Sequence, residues 1–274
     1  MHVITSWSEL LEASGGDPLI RYDLTDPLPE PAYAAHGAIA LVHRAHGHHA
    51  GLCVIGDPGG VGALLADLMG DRSTWSEIST VADHLTLPAD AVRPAQQTLR
   101  ARGLRAELGH GEEWEWMSTT TGPPPQPREE QLRELDTVGL WEGPADDRQR
   151  WRARLVDLLD RHNGRSDADP FARRGETWAL AEGADGELLA VGVSEPNPAG
   201  CPVLAGITTV DHARGQGWGA AITAHLTRRA VADHGACTLG MFSDNASARR
   251  LYLRLGYSVD HRFSSTGLPV LGQP

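Results

Sequence analysis

Residues 203–257 place anion-binding and proton-moving residue types side by side. A β-branched run, VLAGITTV, leads into DHARGQGWG and then straight into the helix-like AAITAHLTRRAVADHG. The turn holds Gly215, Gly217 and Gly219, with Arg214 before them and Gln216, Trp218 and Ala220 between or beside them. A helix N-terminus presents unbonded N–H groups and the positive end of a dipole, and glycines let a backbone come close to an anion. Glycines at a helix start disfavour it by about 1 kcal/mol each against alanine. Close approach of a phosphate supplies an explanation for that cost; a tight turn without a ligand is the alternative. The spacing G-x-G-x-G, late in the chain, departs from the dinucleotide fingerprint, which opens an early βαβ unit with G-x-G-x-x-G.

A second cassette follows: Asn245, Ala248, Leu251, Tyr252, Gly256 and Tyr257, in the pattern N-x-x-A-x-x-L-Y-x-x-x-G-Y. With both cassettes in this order, the chain resembles the GNAT superfamily of acyl-CoA N-acyltransferases. In that family R/Q-x-x-G-x-G/A binds the pyrophosphate of coenzyme A, and here it reads Arg214, Gly217, Gly219. The later motif ends in Phe in the family and in Tyr257 here. The match covers 203–257, and the fold it implies covers the C-terminal half: an α/β (α+β) domain with a mixed, mostly antiparallel sheet flanked by helices.

The resemblance implies direct transfer of an acetyl group from acetyl-CoA to a primary amine of a small molecule or protein, without an acyl-enzyme and without a metal. It sets the strand Ile207, Thr208, Thr209 and Val210 beside the pantetheine arm, where backbone N–H groups can meet a developing oxyanion. It puts Gly215, Gln216, Trp218 and Ala220 in the pyrophosphate turn. It makes Tyr252 the general acid, a phenol of pKa about 10 when unperturbed. Asn245 caps the helix after it and approaches the cofactor. No carboxylate lies in VLAGITTV to serve as general base. The candidates are Glu182, Glu195, Asp244 and His212, with Glu195 placed first and a water relay as the alternative. Against the enzyme stands a non-catalytic acyl-CoA-binding or sensing module, which the missing strand carboxylate favours and Tyr252 disfavours.

Composition bounds the rest. The 274 residues suit two domains, and 41% hydrophobic with 22% charged residues is ordinary for a globular protein. A net charge of −12 argues against a nonspecific nucleic-acid binder. Cys53, Cys201 and Cys237 form no C-x-x-C pair, so no structural zinc is expected and a reducing cytoplasm fits. The start, MHVITSWSELLEASGG, has no signal-peptide pattern, and no apolar run approaches the ~20 residues of a membrane span. The expected setting is cytoplasmic, as monomer or homodimer.

Prolines at 123–125 and 127 mark a stiff linker, 122–128, between an N-terminal domain at 1–121 and the GNAT-like domain at 129–274. Helices are expected at 6–13, 62–69, 90–102, 146–162, 218–234 and 247–255. Strands are expected at 37–43, 51–55, within 106–117 as EWEWM, and at 177–182, 187–193, 203–210, 237–242 and 257–264. Asp146 or Asp147 is the expected cap of the fourth helix. The strand–helix alternation of 1–121 fits a second GNAT-like copy, degenerate because it has no R-x-x-G-x-G/A turn. His43, His46, His48 and His49 read as a solvated loop rather than a metal site, and GDPGGVG at 56–62 as a plain turn with a helix cap. Trp114 and Trp116 share a strand face and read as core.

Overall fold

The computed structural model describes residues 1–44, 50–104, 107–109 and 111–269. It divides into two compact units. The first takes 1–116, 241–245 and the stretch from 259; the second takes 117–240 and 246–258. These units differ from a single cut at the prolines, and strand pairing near the C-terminus gives the reason.

The first unit begins β1 (His2–Ile4), α1 (Trp7–Ala13), α2 (Pro18–Asp23), β2 (Ala32–Ala35), β3 (Ala38–Arg44) and β4 (Ala50–Gly56). It continues α3 (Pro58–Gly70), α4 (Arg72–Val81), β5 (His84–Pro88), α5 (Val92–Ala101) and β6 (Glu112–Thr119). The strands β1 to β4 are antiparallel neighbours, and β5 runs parallel to β4 from Gly51↔His84 to Cys53↔Thr86. Period-two alternation sorts the side chains. Ala40, Leu52 and Val54 meet α3 to α5 on one face; Leu41, Cys53 and Ile55 meet α1 and α2 on the other. Burying each large aliphatic side chain contributes roughly 1.5–3 kcal/mol.

The second unit holds β7 (Arg133–Glu134), α6 (Thr137–Glu142), α7 (Ala145–His162), β8 (Thr177–Glu182), β9 (Leu188–Pro196) and β10 (Pro202–Thr209). Then come α8 (Trp218–His234), β11 (Cys237–Phe242) and α9 (Ala246–Arg254). Here too β7 to β10 are antiparallel neighbours and β11 runs parallel to β10. Apart from α4, the two halves repeat one element order: strand, two helices, three strands, helix, strand, helix, strand. The last strand, β12 (Ser258–Gly267), pairs with β5 from Phe263↔Pro88 to Gly267↔His84, which is why the chain from 259 belongs to the first unit.

Most expected elements form. The helix Trp218–His234 ends at Gly235, which adopts φ 79° as a left-handed cap. Trp114 and Trp116 both join the core cluster of the first unit. Four expectations need correction. The N-cap of α7 is Pro144, and Asp146 and Asp147 lie in its first turn, where they favour the helix dipole instead. His43 is a buried strand residue held by Asp23 at 3.2 Å, because the strand runs on to Arg44; His46, His48 and His49 lie outside the described residues. In GDPGGVG the N-cap Asp57 makes no side-chain cap bond. The prolines at 123–127 do not form a free spacer: Pro123 accepts Arg228 of α8 at 3.2 Å and Gly122 lies against the same side chain.

Candidate functional site

In the second unit β10 and β11 pair only at Val203↔Thr238 and Leu204↔Leu239, then part. Gly206 sits at φ 60° in a bulge of β10 between Ala205 and Thr208. Beyond it Ile207, Thr208 and Thr209 keep β9 on one side, with Thr209 opposite Ala190 and the N–H of Val210 on Leu189 O at 2.9 Å. Their other edge has no strand partner among the described residues. A parallel pair that opens like this leaves backbone donors and acceptors along one side of a slot.

The slot leads to the glycine turn. Gly215 adopts φ 75° and Gly217 φ 93°, values that glycine tolerates and other residues rarely adopt. Gly217 is the N-cap of α8 and offers no side-chain cap. A methyl group on Gly215 or Gly217 would meet no atom within 4 Å, so open space adjoins the backbone at both positions. Among the described residues, no backbone N–H from 215 to 220 donates within the chain; the first used is Ala221, on Gly217 O at 3.0 Å. Consecutive free donors at the positive end of a helix fit a diphosphate in sign and geometry. Gly219 gathers the neighbourhood: a methyl there would touch Leu251 of α9 at 3.7 Å and the Thr209 hydroxyl at 3.9 Å.

Arg214 braces this turn from beneath. Its guanidinium donates to Thr209 O and His162 O, each at 3.3 Å, and pairs with Asp211 at 2.9 Å. Gln216 does similarly, with Nε2 on His212 O at 3.1 Å. Arg128 is an unexpected neighbour. Its Nε donates to Gln216 O at 2.8 Å, and its guanidinium stacks 4.6 Å above the Trp218 ring. Nothing in the sequence near the prolines points to that contact. Trp218 is buried, and its indole N–H has no partner among the described residues.

Tyr252 follows Leu251 on α9 and is buried, its ring 5.9 Å from that of Tyr257. Burial pushes its phenol up to about 12. Asn245 immediately precedes α9 and donates its N–H to Phe242 O at 3.0 Å; it belongs to the stretch grouped with the first unit. Among the candidate bases, Glu182 is held by Arg133 and Arg154, His212 is exposed beside Glu187, and Asp244 is exposed. Glu195 differs. It is 8% exposed and lies opposite Val203, where β10 is still paired with β11 and the bulge has not yet begun. Gly192, three residues earlier on β9, faces Ile222 and Leu226 of α8, so alternation turns Glu195 to the opposite face. Burial first, and the charge of Glu176 next, push its carboxyl up to about 7, with Arg173 opposing.

In the first unit the corresponding turn is closed. A methyl on Gly56 would run into Gly37 O and Ala38 Cα at 2.7 Å, and one on Gly60 would clash with His36 O. The β2–β3 hairpin fills the space that stands open at Gly215 and Gly217. Pro58, at the start of α3, also removes a donor.

Residues 132–257 match the sequence model of the acetyltransferase (GNAT) family. Among solved structures, a GCN5-related N-acetyltransferase from Sphaerobacter thermophilus is similar with 16% identity and a TM-score of 0.51, over 86% of this chain and 78% of that one. A Drosophila protein is similar with 13% identity and a TM-score of 0.51, over 94% and 84%. A GCN5-related N-acetyltransferase from Kribbella flavida shows 18% identity and a TM-score of 0.47, over 95% and 93%. At these identities the likeness is one of fold. No curated protein matches the sequence. Among the described residues no helix is long and apolar enough to cross a membrane, and no group of three or more His, Cys, Asp or Glu is placed to hold a metal.

Proposed function

From a GNAT acetyltransferase domain at residues 132–257, we propose that the protein moves an acetyl group from acetyl-CoA to a primary amine by direct transfer. The observation that carries this is the open run of unused N–H groups at 215–220, next to the slot where β10 leaves β11. Those amides hold the diphosphate, and the free edge of Ile207, Thr208 and Thr209 lines the pantetheine arm. Arg128 adds positive charge at the mouth.

Glu195 takes the proton of the amine, directly or through water. A carboxyl near pH 7 is half ionised under neutral conditions and matched to that task. Backbone N–H groups beside the β10 bulge donate to the thioester oxygen as charge develops there. Tyr252 steadies the leaving thiolate. With its phenol pushed to about 12, complete proton transfer to a thiolate of pKa about 8.5 is uphill by roughly 5 kcal/mol. Tyr252 therefore serves by hydrogen bonding, and the sequence expectation of a low-penalty acid is revised.

We also read the first unit as a degenerate copy of the same fold. Its repeated element order supports this, and its filled turn accounts for the loss of a phosphate cradle. The sensing module is the weaker reading, because a buried carboxyl on β9, the strand next to β10, is useful to a catalyst and unfavourable for a mere binder. Acetyl-CoA turnover with a panel of primary amines tests the proposal. Transfer to at least one amine, abolished by Gly217→Glu, is expected; tight binding with no transfer to any amine would favour the sensor.

A further inference from the structure

Residues 163–176 connect α7 to β8 and lie over the β10 bulge. A methyl on Gly206 would touch Ala168 Cβ at 3.1 Å and Ser166 Oγ at 3.8 Å. One end of the connection is tied where Asn163 donates to the Thr208 hydroxyl at 3.0 Å. The other end closes on Glu176, which is 2% exposed. One Glu176 oxygen accepts the N–H of Phe171 at 2.9 Å and the indole N–H of Trp178 at 2.8 Å; the other accepts the N–H of Arg173 at 3.0 Å. Phe171 stands at φ 62°, a left-handed conformation that a bulky residue adopts only under constraint. The Glu176 carbonyl accepts the Thr137 hydroxyl at 2.8 Å, so α6 is tied to the same point.

A buried carboxylate is tolerated when its oxygens are fully used by donors. Three N–H groups satisfy Glu176, but they leave a second buried carboxyl, Glu195, in its field. The charged groups of the connection that act on Glu195 are Glu176, Arg173, Asp167 and Asp169. The charges of α8, Arg229, Asp233 and His234, border a hollow with Ser194 on the other face of β9, and Arg229 there is held by Glu134. Among these, Glu176 is the one built rigidly into the backbone.

We infer that Glu176 is a positioning residue for the proposed transfer: its three-donor clasp fixes the 166–175 turn over the β10 bulge, and its charge, one residue beyond the antiparallel pair Thr177↔Ser194, acts on the adjoining Glu195. The catalytic half of this inference rests on the transferase reading; the electrostatic half does not. The like charge is the largest of the three neighbouring-charge effects that hold the Glu195 carboxyl up, after burial itself.

The test is titration of the Glu195 side-chain carboxyl by 13C NMR in the wild type and in Glu176→Gln, with the pH profile of kcat/KM recorded on both. The expected result is a Glu195 midpoint lower by roughly one pH unit in the variant, with the acidic limb of the rate profile moving alongside. A folded variant with an unmoved midpoint overturns the inference. Glu176→Asp separates clasp from charge, because it keeps the charge but is too short to reach all three donors. It should leave the midpoint near the wild-type value and lower kcat roughly tenfold at an unchanged acetyl-CoA Kd; wild-type kcat would overturn the positioning role. If Glu176→Gln does not fold, the Asp variant decides. If the protein transfers no acetyl group at all, the transferase reading falls while the NMR shift still decides the coupling.

Discussion

Asn163, one residue past the end of α7, donates its Nδ2 to the hydroxyl of Thr208 in β10 at 3.0 Å. This single bond joins a helix end to the strand segment just beyond the bulge, and Thr208 is buried. Removing it leaves a buried hydroxyl without its donor. Asn163→Ala should cost about 1–2 kcal/mol of stability, measured by urea denaturation, and should lower kcat more than it weakens acetyl-CoA binding. A variant as stable and active as the wild type would show that the strand needs no such tie.

Glu195 predicts a pH dependence with a definite sign. Its folded carboxyl titrates near 7, above the ordinary carboxylate value. The folded protein therefore holds the proton more tightly than the unfolded chain, and stability is lost as pH rises from about 4.5 through 7. Glu195→Gln removes the cost of charging a buried group. The variant should be more stable than the wild type at pH 8, by up to about 3 kcal/mol, and no more stable at pH 4. Activity runs the other way: kcat/KM should rise with pH through about 7 in the wild type, and this limb should vanish in the variant.

Tyr252→Phe should lower kcat by roughly 10–100-fold with little change in the acetyl-CoA Kd, because only the hydroxyl's contact with the leaving thiolate is removed. The ring, buried beside Tyr257, stays in place. Equal loss of binding and rate would instead mark Tyr252 as a packing residue.

Arg128 stacks on Trp218 and holds Gln216 O at the turn. Arg128→Ala should weaken acetyl-CoA binding about tenfold and leave kcat at saturation near the wild-type value. Quenching of Trp218 fluorescence on titration with the cofactor provides the readout, and an unchanged affinity would separate Arg128 from the binding mouth.

Much of this site could be read from residue order because its signals are local. Gly215 and Gly217 are required by backbone conformation, and Gly235 ends α8 for a similar reason. Ile222 and Leu226 announce their helix face by spacing alone, whereas GDPGGVG, read as a turn, opens α3 from Pro58. What closes that junction was not legible either, since the filling atoms come from His36 to Ala38 on another hairpin. The same holds for Arg128 and Asn163, whose partners lie far along the chain. Glu195 read as a strand-end residue; its burial depends on β10 and on the 163–176 connection. Helices α2, α4 and α6 and strands β1, β2, β5 and β7 went unread: all but α4 are short, and α4 follows directly on α3. The pairing of β12 with β5 spans nearly the whole sequence, so a boundary drawn from prolines misplaces the C-terminus.

The account stands on the amides at the start of α8. Two-dimensional 15N–1H NMR during titration with acetyl-CoA reads them directly. The largest shifts are expected at residues 215–220, saturating together, with residues 56–60 of the first unit unmoved. Undisturbed amides at 215–220 in the presence of saturating acetyl-CoA, or shifts centred on 56–60 instead, would contradict it.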